Sequence, residues 1–408
     1  MKQSVQLSTF NLKFLLMFIF MDVILVVYLF GSNNLHYNVQ QFYSAIHNNK
    51  IFNQLRSNNI TTRKNKNILM WNGAHIEDTA PFGFGHEPFI RHGCEISTCV
   101  VYNDPSSLPF EEYDAILVHM HEISKTRMPH SRQKHQRFVF LTQESPISMD
   151  TIDVTTMGGV FNWTMSYKLN SDILFLYGRV SPGPTAPKTL EEAQKMIEET
   201  HLLSAKNYAT NKTHSVVWMA SHCPTKHLRE EYVRQLSNYI PVDVYGRCGN
   251  LSCPHSNRSN FLSDPKCYQM MEQKYKFYLS FENSICTDYV TEKFFEIMNR
   301  DMVPVVYGGA NYSKFAPLHS YINALDFTPE KLAQYLKKLD ENDSLYNEYF
   351  WWKDHYRVEA GIDQRASHGF CDLCKKLHED EGVIKSYPEL VSEWHPKTQC
   401  NRSLHYWK

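Results

Sequence analysis

The sequence lacks the short motifs that would assign a chemistry at once. It contains no G-x-G-x-x-G, no P-loop, no H-E-x-x-H and no internal repeat. The usual signals of dinucleotide-binding enzymes, P-loop NTPases and zinc proteases are therefore absent. It also lacks an excess of charge, because 42 Lys and Arg residues balance 43 Asp and Glu residues. A net charge of −1 provides no basic field for nucleic acid.

One long hydrophobic run is present, FLLMFIFMDVILVVYLF at residues 14–30. Its length predicts a helix that spans a bilayer, although Asp22 near its centre is costly there. Lys2 and Lys13 precede the run, and the first charged residue after it is Lys50, so the positive-inside rule places the N-terminus in the cytosol. A cleaved signal peptide is the alternative, but the apolar region of a signal peptide is shorter than this run, and no A-x-A cleavage site follows the run. We expect an uncleaved signal anchor and a single-pass type II topology.

Cysteines and glycosylation sequons agree with a luminal catalytic region. All ten cysteines lie after the hydrophobic run, which predicts disulfides in an oxidising compartment. Eight N-x-S/T sequons follow the same run. They begin at Asn59, Asn162, Asn211, Asn250, Asn257, Asn311, Asn342 and Asn401.

Two series of short apolar runs predict two Rossmann-like α/β domains with parallel sheets. The first series is 67–71, 99–102, 113–120 and 137–145, and the second is 215–223, 242–246, 276–284 and 302–309. A Pro-rich break at 181–187 and a predicted helix at 190–203 separate them. The predicted divisions are a cytoplasmic tail at 1–13, the anchor at 14–30, a stem at 31–66, domains at 67–205 and 206–360, and a Cys-containing C-terminal extension at 361–408.

The stretch FENSICTDYVTEKFF at residues 281–295 joins a predicted strand to a predicted helix over 288–299. Open α/β sheets bind ligands at the carboxyl ends of their strands, and a helix N-terminus favours phosphate. A lysine near the start of a helix is unfavourable because of the helix dipole, and an anion bound near Lys293 would offset that effect. Asn283, Tyr289 and Glu292 supply further polar groups, so the combination predicts a site. Each residue also has an ordinary explanation, such as Asp288 as an N-cap.

This stretch closely resembles the signature of the α1,3-fucosyltransferase family. The resemblance continues through MVPVVYGGANYSKFAPLHSYINALDF, through VVWMASHCPTKHLREEYVRQLSNYIPVDVYGRCG, and through LTQESP and FNWTMSYKLNSDI. It extends over most of residues 67–357.

The resemblance implies a GT-B-like fold of two Rossmann-like domains that face a cleft, with GDP-fucose bound mainly by the C-terminal domain. It implies an inverting transfer of L-fucose in which Glu144 of the E-S-P element is the general base. The donor-binding residues that it implies are Arg229, Asn283, Tyr289, Glu292 and Lys293. Trp163, Tyr167 and Asp172 also match family positions and are assigned to the cleft region.

A required metal is not expected, because the sequence has no Asp-x-Asp pair to hold Mn²⁺, and Lys293 and Arg229 can stabilise the leaving diphosphate. Stimulation by Mn²⁺ stays open. The C-terminal His368, Cys371, Cys374 and His378 have a spacing that zinc ligands also show. Disulfides are preferred for these cysteines because the region is expected to be luminal.

The family fucosylates the 3-hydroxyl of GlcNAc on glycoprotein glycans. FGFGHEPFIRHGC, EYFWWKDHYRV, FCDLC and Cys286 are more similar to the invertebrate and plant branch that modifies the Asn-linked core GlcNAc. A Lewis-type enzyme of outer antennae is the alternative, and an inactive, membrane-anchored glycan-binding protein is the second. Topology and family together predict a Golgi membrane protein. Its partners would be GDP-fucose and N-glycans, and no nucleic acid.

Overall fold

The structure is a computed structural model, which describes residues 64–72, 81–125, 128–129, 131–149, 153–203, 206–253, 265–383 and 385–401. The chain divides after Lys64, and the unit from Asn65 onward contains the two parallel sheets that are described below. The predicted anchor at 14–30 lies outside the described residues. Within the described ranges, no helix is long and apolar enough to cross a membrane.

The first lobe is built on a parallel sheet. Its strands are β1 (Lys66–Met70), β2 (Cys99–Tyr102), β3 (Ala115–His119), β4 (Arg137–Thr142), β5 (Trp163–Ser166) and β6 (Ile173–Leu174), in the order β2-β1-β3-β4-β5-β6. All residues of β3 and β4 are buried, as expected for parallel strands that are covered on both faces. Strand β7 (Gly178–Pro182) then leaves this lobe.

The second lobe repeats the same strand order. Its strands are β8 (His214–Met219), β9 (Val242–Tyr245), β10 (Tyr275–Phe281), β11 (Val303–Tyr307) and β12 (Ile322–Asn323), and they are arranged β12-β11-β10-β8-β9, all parallel. Strand β13 (Tyr356–Ala360) pairs antiparallel with β7 and so ties the end of the second lobe to the end of the first. The prediction of two parallel α/β sheets is confirmed.

Helices occupy the connections between these strands. The α-helices are α1 (Glu87–Arg91), α2 (Leu190–Leu203), α3 (Arg229–Leu236), α4 (Pro265–Lys274), α5 (Glu292–Met298), α6 (Pro329–Asp340), α7 (Asp343–Asn347), α8 (Ile362–Glu379), α9 (Val391–Trp394) and α10 (Pro396–Gln399). Short 3₁₀ helices lie at Pro105–Ser107, Phe110–Glu112, Met120–Lys125, Val154–Met157, Tyr312–Lys314, Ala324–Asp326 and Glu348–Phe350. The predicted helix at 190–203 coincides with α2.

The C-terminal residues pack on the first lobe, although they follow the second lobe in the sequence. Phe370 and Leu373 of α8 join the core that Leu117, Leu141 and Trp163 form on one face of the first sheet. Two disulfides, Cys94–Cys371 and Cys99–Cys374, fasten α8 there. Helix α8, the first part of the predicted extension at 361–408, therefore packs on the first lobe.

Several strands end earlier than their apolar runs predict, and the difference falls on the polar residues. The run at 137–145 is a strand only as far as Thr142, and the run at 276–284 only as far as Phe281. Glu144 and Asn283 therefore lie in loops at the carboxyl ends of β4 and β10. Loops are free to present side chains to a ligand, whereas strand positions alternate between two packed faces.

Candidate active site

The polar residues meet where the carboxyl ends of the two sheets approach each other. One loop follows β4 and carries Glu144, and the other follows β10 and is called the 282–291 loop here. The hydroxyl of Ser145 donates a hydrogen bond to the hydroxyl of Ser284 across the two lobes, at 2.7 Å and fully buried. The hydroxyl of Tyr289 donates to Oε2 of Glu144 at 3.4 Å. Glu144 and Tyr289, which lie 145 residues apart in the sequence, are thus brought together.

Tyr289 is fixed by aromatic packing. Its ring is 1% exposed and packs edge-on against Tyr167, with ring centroids 4.9 Å apart, and against Tyr177 at 6.3 Å. Burial raises the pKa of Tyr289 well above its ordinary value, and the nearby Glu144 carboxylate raises it further. The phenol therefore stays protonated at physiological pH and can donate a hydrogen bond to Glu144.

Glu282 is a site residue to which the sequence analysis assigned no role. Its side chain is fully buried, and its carboxylate accepts hydrogen bonds from the backbone N–H of Thr291 at 2.8 Å and from the Thr291 hydroxyl at 2.8 Å. These bonds close the 282–291 loop on itself. A signal was available in the sequence, because Glu282 directly follows a largely apolar strand, and an acid in such a place is rarely buried unless it is paired.

Lys293 already has anionic partners in the structure. Its ammonium group lies 2.9 Å from Oε1 of Glu292 and 3.6 Å from Oε2 of Glu282, and it donates to the Thr291 hydroxyl at 2.9 Å. Burial lowers the pKa of Lys293, but the two carboxylates outweigh that effect and the net pKa is raised. Lys293 is thus a cation whose side chain is only 13% exposed, and carboxylates supply the anion that its position near a helix start requires.

The helix after the loop begins later than predicted. Helix α5 starts at Glu292, and Thr291 is the N-cap, because its side chain accepts a hydrogen bond from the N–H of Lys293. Asp288 has a φ of 57°, a left-handed conformation that interrupts a right-handed helix. Its carboxylate instead accepts a hydrogen bond from the N–H of Leu169 in the first lobe, at 3.2 Å. Asp288 is therefore a contact between the lobes and not the N-cap.

Arg229 lies beneath the 282–291 loop. It is 2% exposed, and its guanidinium donates to the carbonyl oxygens of Phe281 and His222. Burial lowers the pKa of Arg229, and the carboxylates of Glu230 and Glu282 oppose that effect. The guanidinium therefore keeps a positive charge at the end of β10, where it bonds the carbonyl of the last strand residue.

Asn283 and Glu292 are the more accessible candidates in this loop and helix. Both side chains are half-buried. The Oδ1 atom of Asn283 is buried and accepts no hydrogen bond from any residue that the structure describes. A buried amide oxygen without a donor is costly, so this atom is placed to receive a hydrogen bond from a ligand or water.

The three residues assigned to the cleft region have different surroundings. Tyr167 contacts Tyr289 and belongs to the site. Trp163 lies in β5 within the core under α8. Asp172 accepts hydrogen bonds from the Tyr387 hydroxyl and the Lys385 ammonium, each at 2.6 Å, and therefore attaches the C-terminal segment.

All ten cysteines form disulfides, which confirms the predicted disulfide bonding. Cys371 and Cys374 bond to Cys94 and Cys99, so neither provides a thiolate for zinc. His378 lies near Cys99 and Cys374, but its Nε2 is 3.0 Å from the Thr98 hydroxyl. The zinc alternative is therefore wrong for these residues. The remaining bridges are Cys223–Cys248, Cys253–Cys267 and Cys286–Cys400.

The fold and the site together define a class of protein. Two parallel sheets meet at their carboxyl ends, one lobe presents a carboxylate, and the other presents a loop with two cations, Lys293 and Arg229, beside it. Two parallel α/β sheets that meet at their carboxyl ends are the arrangement of a GT-B-like glycosyltransferase.

Sequence comparison places the chain within that class. Residues 209–394 match the family described as glycosyltransferase family 10 (fucosyltransferase) C-term, and residues 63–178 match the fucosyltransferase N-terminal family. The chain is 36% identical over 311 residues to alpha-(1,3)-fucosyltransferase C of Drosophila melanogaster, an alignment that spans 74% of this chain and 70% of the relative. The chain belongs to the α1,3-fucosyltransferases of glycosyltransferase family 10.

A second curated relative agrees with that family, and one solved structure is similar over most of the chain. The chain is 33% identical over 347 residues to glycoprotein 3-alpha-L-fucosyltransferase A of Drosophila melanogaster; the alignment spans 83% of this chain but 62% of the relative's length. A solved α1,3-fucosyltransferase with GDP-fucose aligns with 80% of this chain and 94% of its own, with a TM-score of 0.48 and 15% identity. The family assignment rests on the sequence matches.

Proposed function

We propose that this protein transfers L-fucose from GDP-fucose, with inversion, to the 3-hydroxyl of a GlcNAc residue on glycoprotein glycans. The observation that carries the proposal is the contact between Glu144 on the first lobe and Tyr289 in the 282–291 loop of the second. It puts a carboxylate from the acceptor side next to the loop that the family uses for its sugar donor.

Glu144 is the proposed general base. A displacement at the anomeric carbon requires a group that takes the proton of the attacking hydroxyl, and a half-buried carboxylate at a strand end is suited to that task. The Tyr289 hydroxyl orients one carboxylate oxygen by its hydrogen bond and leaves the other oxygen for the acceptor hydroxyl. Tyr289 therefore acts as a positioning residue for the base as well as a wall of the donor site.

The departing GDP needs stabilisation of its developing negative charge. Lys293 and Arg229 are the proposed cations, because their side chains lie near the end of β10 and are only 13% and 2% exposed, so water screens them little. Lys293 now pairs with Glu292, and a diphosphate would replace that contact and free Glu292 to accept a hydrogen bond from a fucose hydroxyl. Asn283 offers its amide oxygen to the sugar or the nucleotide.

A divalent metal is not required in this proposal. The sequence has no Asp-x-Asp pair, and the two cations can perform the electrostatic task that a metal performs elsewhere. Added Mn²⁺ can still stimulate transfer by pairing with the diphosphate of the substrate.

The proposed acceptor is the Asn-linked core GlcNAc. The similarity of residues 82–94 and of Cys286 to the core-modifying branch supports it, as does the 33% identity to a relative named as a glycoprotein 3-alpha-L-fucosyltransferase. The proposed location is the Golgi membrane, with residues 14–30 as the anchor and the catalytic region in the lumen. Five disulfides support an oxidising compartment.

The full-length chain, solubilised in detergent, tests this function when it is incubated with GDP-fucose and defined acceptors. We expect GDP release and a fucosylated product with a truncated N-glycan that retains its Asn-linked core. Linkage analysis should locate the fucose on the 3-hydroxyl of the core GlcNAc. The anomeric configuration of the new bond should be opposite to that of the fucose in GDP-fucose.

The outcome separates the alternatives. Transfer to N-acetyllactosamine antennae and not to the core would identify a Lewis-type enzyme. Binding of the glycan without GDP release above the hydrolysis background would identify an inactive glycan-binding protein and refute the proposed activity.

A further inference from the structure

The C-terminal residues 385–401 cross from the first lobe to the second, and they are called the strap here. Three side-chain contacts hold the first part of the strap on the first lobe. They are Lys385–Asp172 and Tyr387–Asp172, each at 2.6 Å, and Lys168–Glu393 at 2.9 Å. The strap is therefore fastened to the lobe that carries the proposed base.

Trp394, in the middle of the strap, is linked by packing to both partners of the Glu144–Tyr289 hydrogen bond. Trp394 is 2% exposed, and its ring packs on Phe140 with centroids 4.9 Å apart. Phe140 belongs to β4, the strand that leads to Glu144. The same ring meets Tyr167 edge-on at 5.8 Å, and Tyr167 packs on Tyr289. One side chain thus touches β4 directly and Tyr289 through a single intermediate ring.

The end of the strap is joined covalently to the 282–291 loop. Cys400 forms a disulfide with Cys286, and the backbones of these two residues form an antiparallel bridge. The backbone N–H of Tyr289 donates to the carbonyl oxygen of Cys286 at 3.3 Å. Two backbone hydrogen bonds of 2.8 Å flank the bridge, from the Thr287 N–H to Gln399 and from the Asn401 N–H to Ile285. The strap therefore supports the backbone of Tyr289 through Cys286 and the ring of Tyr289 through Trp394.

The hydrogen bond from Tyr289 to Glu144 depends on such support. At 3.4 Å it is already long for an O–H···O bond, so a further shift of either residue would break it. The bonds between Glu282 and Thr291 close the two ends of the 282–291 loop. The strap bonds the middle of the loop, from which Tyr289 reaches the other lobe.

We propose that Trp394 and the Cys286–Cys400 disulfide are positioning residues for the transfer reaction, which hold the Tyr289 hydroxyl on the Glu144 carboxylate. The proposal rests on the proposed function for the role of Glu144. These residues act through Tyr289 and not by touching the sugar, so their loss affects the chemical step more than substrate binding.

The first test replaces Trp394 in the full-length protein. Trp394→Leu removes the aromatic contacts and should lower kcat about fivefold, the equivalent of one hydrogen bond. Trp394→Phe keeps an aromatic ring and should restore most of that loss. KM for GDP-fucose should stay within about twofold, because the substitution perturbs the base rather than the cations proposed to hold the diphosphate.

A Tyr289→Phe background separates positioning from general destabilisation. Tyr289→Phe removes the hydroxyl and should by itself lower kcat about fivefold. If Trp394 acts through that hydroxyl, Trp394→Leu in this background should change kcat by less than about twofold. A loss of kcat that is equal in both backgrounds overturns the proposal, and so does an unchanged kcat in the single Trp394→Leu variant.

A Cys286→Ser/Cys400→Ser double variant tests the other end of the strap and gives an answer even if Trp394→Leu fails to fold. It should lower kcat by a similar factor, about fivefold, and cause little further loss in the Tyr289→Phe background. Normal turnover by this variant would overturn the role of the disulfide.

The matched control is a Cys94→Ser/Cys371→Ser variant. It also removes one disulfide, but that bridge fastens α8 to the first lobe, and Cys99–Cys374 continues to hold α8 there. Its kcat should equal that of the unmodified protein. An equal loss of kcat in both disulfide variants would show that the effect is not specific to the strap and would contradict the proposal.

Amide hydrogen exchange distinguishes failure of this proposal from failure of the proposed function, because it needs no substrate. Trp394→Leu should speed exchange of the N–H groups of Thr287 and Tyr289 and leave exchange in β8 unchanged. If the unmodified protein releases no GDP but this local exchange rises, the transferase activity is refuted and the support of Tyr289 by the strap stands. If transfer occurs and Trp394→Leu changes neither kcat nor the exchange, the activity is supported and the positioning role is refuted.

Discussion

Replacement of Glu144 by Gln separates the chemical step from binding and folding. Gln has the same shape as Glu but cannot take a proton at neutral pH. Among the described residues, the one side-chain hydrogen bond of the carboxylate comes from Tyr289, and at 3.4 Å it is long. Gln can still accept it, so we expect the free energy of unfolding to change by less than about 1 kcal/mol.

The expected effect on turnover is much larger. General-base catalysis contributes roughly 10²- to 10⁴-fold to rate. The substitution should therefore lower kcat by that factor, which corresponds to about 3–5 kcal/mol in the activation barrier. Titration calorimetry with GDP and with the acceptor should give affinities close to those of the unmodified protein.

The assay measures kcat and KM with the truncated N-glycan, and thermal unfolding confirms folding. Glu191→Gln is the matched control, because Glu191 is an exposed glutamate on α2. Near-normal turnover by Glu144→Gln, with the control also normal, would show that another group removes the proton. The inferred geometry of the reaction would then be incorrect.

Two further predictions concern the charges around the site. Lys293→Ala should raise KM for GDP-fucose at least tenfold and destabilise the fold by about 3–5 kcal/mol, since it leaves the buried Glu282 carboxylate without its cation. Adding Glu282→Gln should restore thermal stability but not donor affinity; unchanged affinity in both variants would exclude Lys293 from the site. Burial would raise the pKa of Asp172, but hydrogen bonds from Lys385 and Tyr387 outweigh it and lower the pKa. A lowered folded-state pKa contributes stability above the unfolded pKa of about 4, and that stability is lost as pH falls through the folded value. Asp172→Asn should therefore lower Tm at pH 6, and the difference from the unmodified protein should shrink as the pH falls below about 4; a difference that stays constant down to the lowest pH at which the protein folds would contradict this account.

The fold class and the family could be read from the chain alone. Short apolar runs that alternate with helical segments predict parallel α/β sheets, because a strand covered on both faces must be apolar throughout. The polar residues within the stretch 281–295, between a predicted strand and a predicted helix, indicated a ligand site. Open α/β sheets bind ligands at the carboxyl ends of their strands. The local sequence of residues is therefore enough to predict both the parallel sheets and the position of a ligand site.

The arrangement of the site could not be read in the same way. Glu282 follows an apolar strand, but only the folded loop shows that Thr291 and Lys293 satisfy its carboxylate. The helix start moved from Asp288 to Glu292 because Asp288 bonds to Leu169 of the other lobe. A local pattern predicts where a helix is favoured, and long-range contacts decide where it begins.

The sequence by itself determined the two sheets, the family and the polar residues at the ends of the strands. The tertiary structure alone decided which of those residues meet. It brought Tyr289 to Glu144 across the lobes, and it joined Cys286 to Cys400 over 114 residues. The hydrophobic period and the composition of a segment indicate its secondary structure and its burial. Proximity between distant segments depends instead on the path of the whole chain. For this protein, that path places the C-terminal residues 399–401 beside the 282–291 loop.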